Sequence, residues 1–292
     1  MGEPFIGSEA LAAGTLTRHQ LRTKFVAVHK DIYVLRGTRP TAIGRAEAAW
    51  LRSRRRGVLA GYSAAALHGA RYIDAALPAN IIDTNRRPEP GVSGWQHALD
   101  DDDVCVIGEM LVTAPLRTAV DLARKYPDDV AAIDALARAA RLTVADIQTA
   151  AEKYRGRRGI ERARKTIELV DPGAESPRET WLRLLLIRVG FPRPVSQHPI
   201  YNEFGALIGE VDFAWPELKI AVEYEGRHHM DPHAARRDIG RIEEMIEMGW
   251  LVIRVTSRDS AGVIVRRIFK ARASRGAFDV VDFRDASVVW AS

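Results

Sequence analysis

Apolar and polar positions alternate along this chain with two periods, near 3.6 and near 2, and the switches between them mark its elements. Thr17 to Thr23 reads as a short helix capped by Thr17, followed by a strand-like run of Val26, Val28, Ile32 and Val34 interrupted by Lys30 and Asp31. A helix over Arg45 to Arg56 carries Arg52, Arg54, Arg55 and Arg56 at its end and leads into an Ala-rich helix, Ser63 to His68. Pro78 to Glu109 is strand-rich, with a turn through Arg86 to Gly91 and an acidic loop at Asp100 to Asp103. Helical patterning runs from Thr113 through Ala151, and Arg155 to Lys165 sets six cations against one Glu161. Asp171-Pro172-Gly173 closes that segment and is the best domain boundary.

Beyond it the order is helix, strand, strand, strand, helix, strand. Ser176 caps a helix that has Pro177 at its first position, with Trp181, Leu182, Leu185 and Val189 on one side, and Gly190 and Pro192 stop it. Val195 to Tyr201, Ile208 to Trp215 and Lys219 to Glu225 read as strands. His233 to Met248 reads as a helix, Leu251 to Val255 as a buried strand and Ala261 to Ala273 as a last helix. The expected class is α+β, in three parts: residues 1–75, a mixed and helical middle region 76–170, and 171–292.

If Pro216 to Lys219 connect the central hairpin, Trp215 faces Ile220, which sets Asp212 across from Glu223 and Glu210 across from Glu225. Val211, Phe213, Trp215, Ile220, Val222 and Tyr224 then form the apolar face. Four carboxylates crowd the other face, and like charges opposed across a sheet are unfavourable. A hard divalent cation is one remedy, because Mg²⁺ takes one or two carboxylates and completes its octahedron with water and phosphate. Ion pairs with Arg227, Arg237 or Arg241 are the other. Acids packed on a short hairpin leave no sugar cleft between separated carboxyls, which argues against a glycosidase.

Charge distribution is consistent with either remedy. Net charge is +5; residues 1–170 hold 26 Lys and Arg against 20 Asp and Glu, and the remainder 17 against 18. A basic front half suits a polyanion, and an acidic site suits a cation. The one cysteine, Cys105, permits no internal disulfide and reads as a small core residue. No apolar run is long enough for a membrane span and Met1 to Gly14 lacks a signal-peptide pattern, so the expected location is the cytoplasm.

Two resemblances sharpen these expectations. Leu16 to Leu21, Tyr33 to Gly37, Arg45 to Ala49, and Ala65, Ala66, His68 and Gly69 resemble the N-terminal half of AbiEi-like antitoxin proteins, as does Thr113 to Leu122. This implies a winged-helix domain, here degenerate, since nothing between Thr23 and Phe25 has room for a recognition helix. Val211-Asp-Phe, Glu223-Tyr-Glu-Gly-Arg-His-His, Arg237-Asp238, Arg241 and Gly249-Trp-Leu-Val-Ile-Arg-Val resemble the DUF559 family, relatives of the very-short-patch repair (Vsr-like) endonucleases in the PD-(D/E)XK superfamily.

That second resemblance spans about Glu175 to Asp259 and implies an αβββαβ restriction-endonuclease-like core cutting DNA with Mg²⁺ or Mn²⁺. Its acidic set is Glu179, Asp212 and Glu223. Asp212, Glu223 and Glu225 are the candidate metal ligands, with Glu225 a further candidate proton acceptor where the superfamily usually has lysine. His228 is a candidate catalytic group; Gln197, Arg227, His229, Arg237 and Arg241 are candidate DNA contacts. Glu179 also fits a capping box with Ser176, which needs no chemistry. A non-catalytic DNA-binding regulator of antitoxin type, built on a nuclease-like scaffold, is the alternative.

Overall fold

Thr17 does cap a helix, its hydroxyl accepting from Gln20 N while the Gln20 side chain returns to Thr17 N. The structure, a computed structural model, describes residues 3–85, 87–225 and 232–284, the side chains of 232–235 excepted. It divides into two compact units, Met1–Pro172 and Gly173–Ser292. Both are mixed α and β, as expected.

In the first unit β1 (Phe5–Ile6) and α1 (Gly7–Ala12) precede α2 (Arg18–Lys24), β2 (Phe25–His29) and β3 (Ile32–Leu35). The strand-like run is two strands, β2 and β3, paired as a hairpin at the Lys30–Asp31 interruption, with Asp31 in the left-handed region (φ 66°), and β1 completes a sheet ordered β1-β3-β2. α3 (Ala42–Arg52) starts earlier than the pattern suggested because Thr41 Oγ1 caps it through Gly44 N. It also ends earlier, since Arg54 and Arg55 turn to φ 57° and 64° and pair with Asp31 (3.1 Å) and Glu9 (2.7 Å). Those two cations are therefore spoken for within the unit.

β4 (Val58–Leu59), α4 (Gly61–Leu67), β5 (Ala79–Ile82), β6 (Val92–Trp95), β7 (Val104–Ile107) and β8 (Met110–Thr113) follow, and the five strands form one sheet ordered β6-β5-β4-β8-β7. The expected division at 75/76 is corrected here: β4 lies between β5 and β8, so residues on both sides of that point share one sheet and one core of Leu59, Ala64, Ile81 and Val112. Cys105 is only partly buried against that core.

Helices α5 (Pro115–Lys125), α6 (Val130–Ala140), α7 (Val144–Glu152) and α8 (Ile160–Glu168) complete the unit. Buried Arg117 on α5 bonds Asp121 one turn on (2.7 Å) and Asp103 of the acidic loop (2.6 Å). Lys153 meets Asp100, Asp102 and Asp103 at 2.9 to 3.3 Å, so the loop is an internal counter-charge.

The second unit runs α9 (Pro177–Arg188), β9 (Val195–Tyr201), β10 (Leu207–Trp215), β11 (Ile220–Glu225), α10 (Pro232–Glu247), β12 (Leu251–Thr256) and α11 (Ala261–Ser274). The αβββαβ order is present, with α11 added as expected. The sheet is ordered β12-β11-β10-β9; β9, β10 and β11 are antiparallel, and β12 is parallel to β11 after the α10 crossover. The apolar stripe of α9 (Leu182, Leu185, Leu186, Val189) and that of α11 (Ile264, Val265, Ile268) bury one face through Phe213, Trp215, Ile220, Val222, Ile253 and Val255. The other face is covered around Met245 of α10, by Ile200, Val211, Ala214 and Ala221.

Candidate functional site

The predicted hairpin register is correct where the ladder is formed: Trp215 pairs with Ile220, Ala214 with Ala221 and Phe213 with Val222. It stops one residue short of Asp212. Val211 does not share the face of Phe213, as strict alternation requires, but packs with Ala214, Ala221 and Met245 on the α10 side. The strand therefore rotates between them, and Asp212 Oδ2 accepts from the Tyr224 backbone N–H at 2.6 Å. A carboxylate stands where a main-chain carbonyl would continue the ladder.

On its other side β10 pairs with β9 through His198↔Val211 and Ser196↔Phe213, leaving Gln197 as the residue opposite Asp212. Gln197 has φ 49°, unusual for a non-glycine residue within a strand and a strain that the surroundings must hold in place. Its amide Nε2 donates to Glu179 Oε2 at 3.1 Å. Glu179, 7% exposed, also accepts from Glu175 N on Oε2 and from Ser176 Oγ on Oε1, both at 2.7 Å. The capping relation with Ser176 is thus real: Ser176 Oγ accepts from Glu179 N, while the Glu179 carboxylate reaches one residue further back than a standard box.

Glu179 is tied to Gln197 opposite Asp212, and Glu223 directly precedes the Tyr224 N–H that Asp212 accepts from, so both bear on the charge of Asp212. Burial pushes the Asp212 carboxyl up, the Tyr224 N–H draws it back, and the charges of Glu179, Glu223 and Glu175 push it up further, to about 7. Glu223, 9% exposed, meets Arg241 Nη1 at 2.6 Å, and Arg241 Nη2 meets Asp238 at 2.7 Å. Arg254 on β12 pairs with Asp238 at 2.9 Å and with Glu225. Two cations therefore serve Glu223, Glu225 and Asp238, and none of these pairs reaches Asp212.

Several expectations change accordingly. Arg241, expected as a DNA contact, is turned inward as a partner of Glu223 and Asp238; Arg237 is exposed. Gln197, also expected to touch DNA, holds Glu179. The β10–β11 ladder ends at Phe213↔Val222 and does not reach the expected pair of Glu210 and Glu225, and the Glu225 charge is taken by Arg254. Arg227, His228 and His229 lie outside the described residues. Arg254 was missed, although a charge at the register position of Glu223 in an otherwise apolar parallel strand is itself a sign that it has a buried partner.

The donor set suits a hard divalent cation in kind, being carboxylate oxygens, with Asp212 short of a counter-charge among the described residues. Among the described residues no three His, Cys, Asp or Glu groups converge as a ready coordination cluster. Magnesium asks for less than that, commonly one or two carboxylates. Asp212 and Glu223 are the residues that would hold it.

Fold and site together define a two-unit α+β protein with an acidic cluster where two strands of its second sheet part. Over 200 residues, 68% of this chain and 73% of the relative, it is 34% identical to the Mycobacterium tuberculosis protein Rv2248, described as uncharacterized, and equally to MT2308 from another strain. The chain belongs to the family of these mycobacterial proteins. No family model and no solved structure matches it.

Proposed function

We propose that the Gly173–Ser292 unit is a divalent-metal-dependent nuclease, hydrolysing phosphodiester bonds in DNA. The observation that supports this best is the carboxylate of Asp212, buried, without an ion-pair partner among the described residues and pressed further by three acids at the point where β10 and β11 separate. An acid pushed up first by burial and then by neighbouring acids is costly to a fold and is useful to a cation. With Mg²⁺ or Mn²⁺ bound, the site gains a Lewis acid that stabilises charge on the phosphate and eases ionisation of water. Asp212 and Glu223 hold the cation in this reading. Gln197 and the Ser176 cap fix Glu179 beside them, and Arg241 orients Glu223. The positive charge that the superfamily usually carries two places after Glu223 is brought to Glu225 from β12, by Arg254.

The second reading, a DNA-binding regulator on a retired nuclease scaffold, draws on the ion pairs themselves: Glu223 and Glu225 already have guanidinium partners. Incubation of plasmid, single-stranded DNA and RNA with protein and Mg²⁺ or Mn²⁺ separates the two. The nuclease reading expects strand cleavage abolished by EDTA and by Asp212→Ala. Binding without cleavage under every metal condition supports the regulator instead.

A further inference from the structure

The Arg155–Lys165 segment is left unused by the acidic site. Gly156 and Gly159 take φ 76° and 86°, folding the chain into a loop that opens α8. The loop is pinned from below: Arg157 N donates to Tyr154 O at 2.9 Å, and Arg124 Nη2 of α5 donates to Arg158 O at 3.2 Å. Tyr154 is itself buried, beneath the guanidinium groups of Arg117 and Arg124. The backbone is thus fixed while its side chains point outward.

Of the six cations, Arg155 pairs with Glu152, and Arg164 pairs with Glu152 and Glu161. Arg157, Arg158, Arg162 and Lys165 are exposed and, among the described residues, make no ion pair. The fold gains little from this placement. Arg157, Arg158 and Arg162 crowd the N-terminal end of α8, where the helix dipole disfavours cations. The helix is held instead by its opposite side, Ile160, Ala163 and Ile167, all buried.

We propose that this surface binds the phosphate backbone of nucleic acid without reading sequence. Guanidinium groups match phosphate oxygens in a fork geometry, and three of the four free cations are arginines. No exposed aromatic ring in the segment offers a base a stacking platform, and no exposed apolar side chain offers a wedge for a lipid surface. The choice of nucleic acid among polyanions rests on the nuclease reading.

The test is fluorescence anisotropy of a labelled duplex of random sequence, about 20 base pairs long, with the full chain in EDTA, between about 50 and 200 mM NaCl. Each phosphate contact contributes about 0.9 to the slope of log affinity against log salt. R157Q/R158Q/R162Q/K165Q is expected to make the slope shallower by about 3 to 4 and to weaken binding at least about tenfold. R162Q and K165Q alone, should the fourfold variant fail to fold, are each expected to remove about 0.9. Unchanged slope and affinity overturn the proposal, as does absence of duplex binding by the parent chain. So does binding to phosphatidylglycerol vesicles with none to duplex. Asp212→Asn separates the two readings: loss of cleavage with the slope intact belongs to the acidic site. A charge-dependent slope in a chain that never cleaves keeps this surface and removes the nuclease.

Discussion

Replacing Asp212 by asparagine isolates the strain in the acidic site, because the amide oxygen can still accept from Tyr224 N while the charge is gone. In the parent chain the folded-state carboxyl is raised from 3.8 to about 7. A raised acid stabilises the fold fully below its unfolded pKa, and that contribution is lost as pH rises through the folded value. Asparagine cannot ionise and does not lose it. The stability difference between Asp212→Asn and the parent should therefore be small near pH 4 and grow up to about pH 7. It should be flat above that, with the variant the more stable. At about 1.4 kcal/mol per unit the ceiling is about 4 kcal/mol, and solvent relaxation around a partly solvated group brings the expected value to about 1–3 kcal/mol. Urea denaturation at pH 4, 6, 7 and 8 in EDTA measures it. Adding Mg²⁺ should then stabilise the parent by about 1.4 kcal/mol at ten times Kd and leave the variant unmoved. A difference independent of pH, or a variant less stable than the parent at pH 8, refutes the reasoning.

Three further outcomes follow from the same contacts. Gln197→Ala removes a donor from buried Glu179 while keeping the left-handed backbone, and should cost about 1–2 kcal/mol; Gln197→Gly, free of that strain, should cost less, as thermal melts of both will show. Arg241→Met leaves Glu223 and Asp238 without their shared guanidinium and should cost about 2 kcal/mol, against about 1 kcal/mol for Arg254→Met, whose pairs are more exposed. In the first unit, Arg117→Met takes the shortest guanidinium contacts from buried Asp103 and Asp121, which keep Lys153 and Arg124 at 3.3 Å, and should cost about 2–3 kcal/mol by urea denaturation.

The second unit was legible because its signals were local and mutually consistent. Ser176 and Pro177 start α9, Gly190 and Pro192 end it, and a short connection at Pro216–Lys219 sets the register of the hairpin. What alternation could not reveal was the rotation at Asp212, because it comes from a side chain displacing a backbone hydrogen bond and from Gln197 opposite it. Arg241 and Arg254 were harder still, since their roles depend on α10 packing over the sheet and on β12 joining its edge beside β11, contacts made far along the chain. The first unit misled differently. Thr41 and the paired Arg54 and Arg55 moved both ends of α3, and two-residue β4 was too short to betray that residues 58–113 form one sheet.

Calorimetric titration of Mn²⁺ into the metal-free chain at pH 7.5 addresses the central claim most directly. The expected result is one binding event in the parent chain, absent in Asp212→Asn and retained in Glu225→Gln. Equal uptake by parent and Asp212→Asn, or no uptake by either, contradicts the assignment of that acid to a cation.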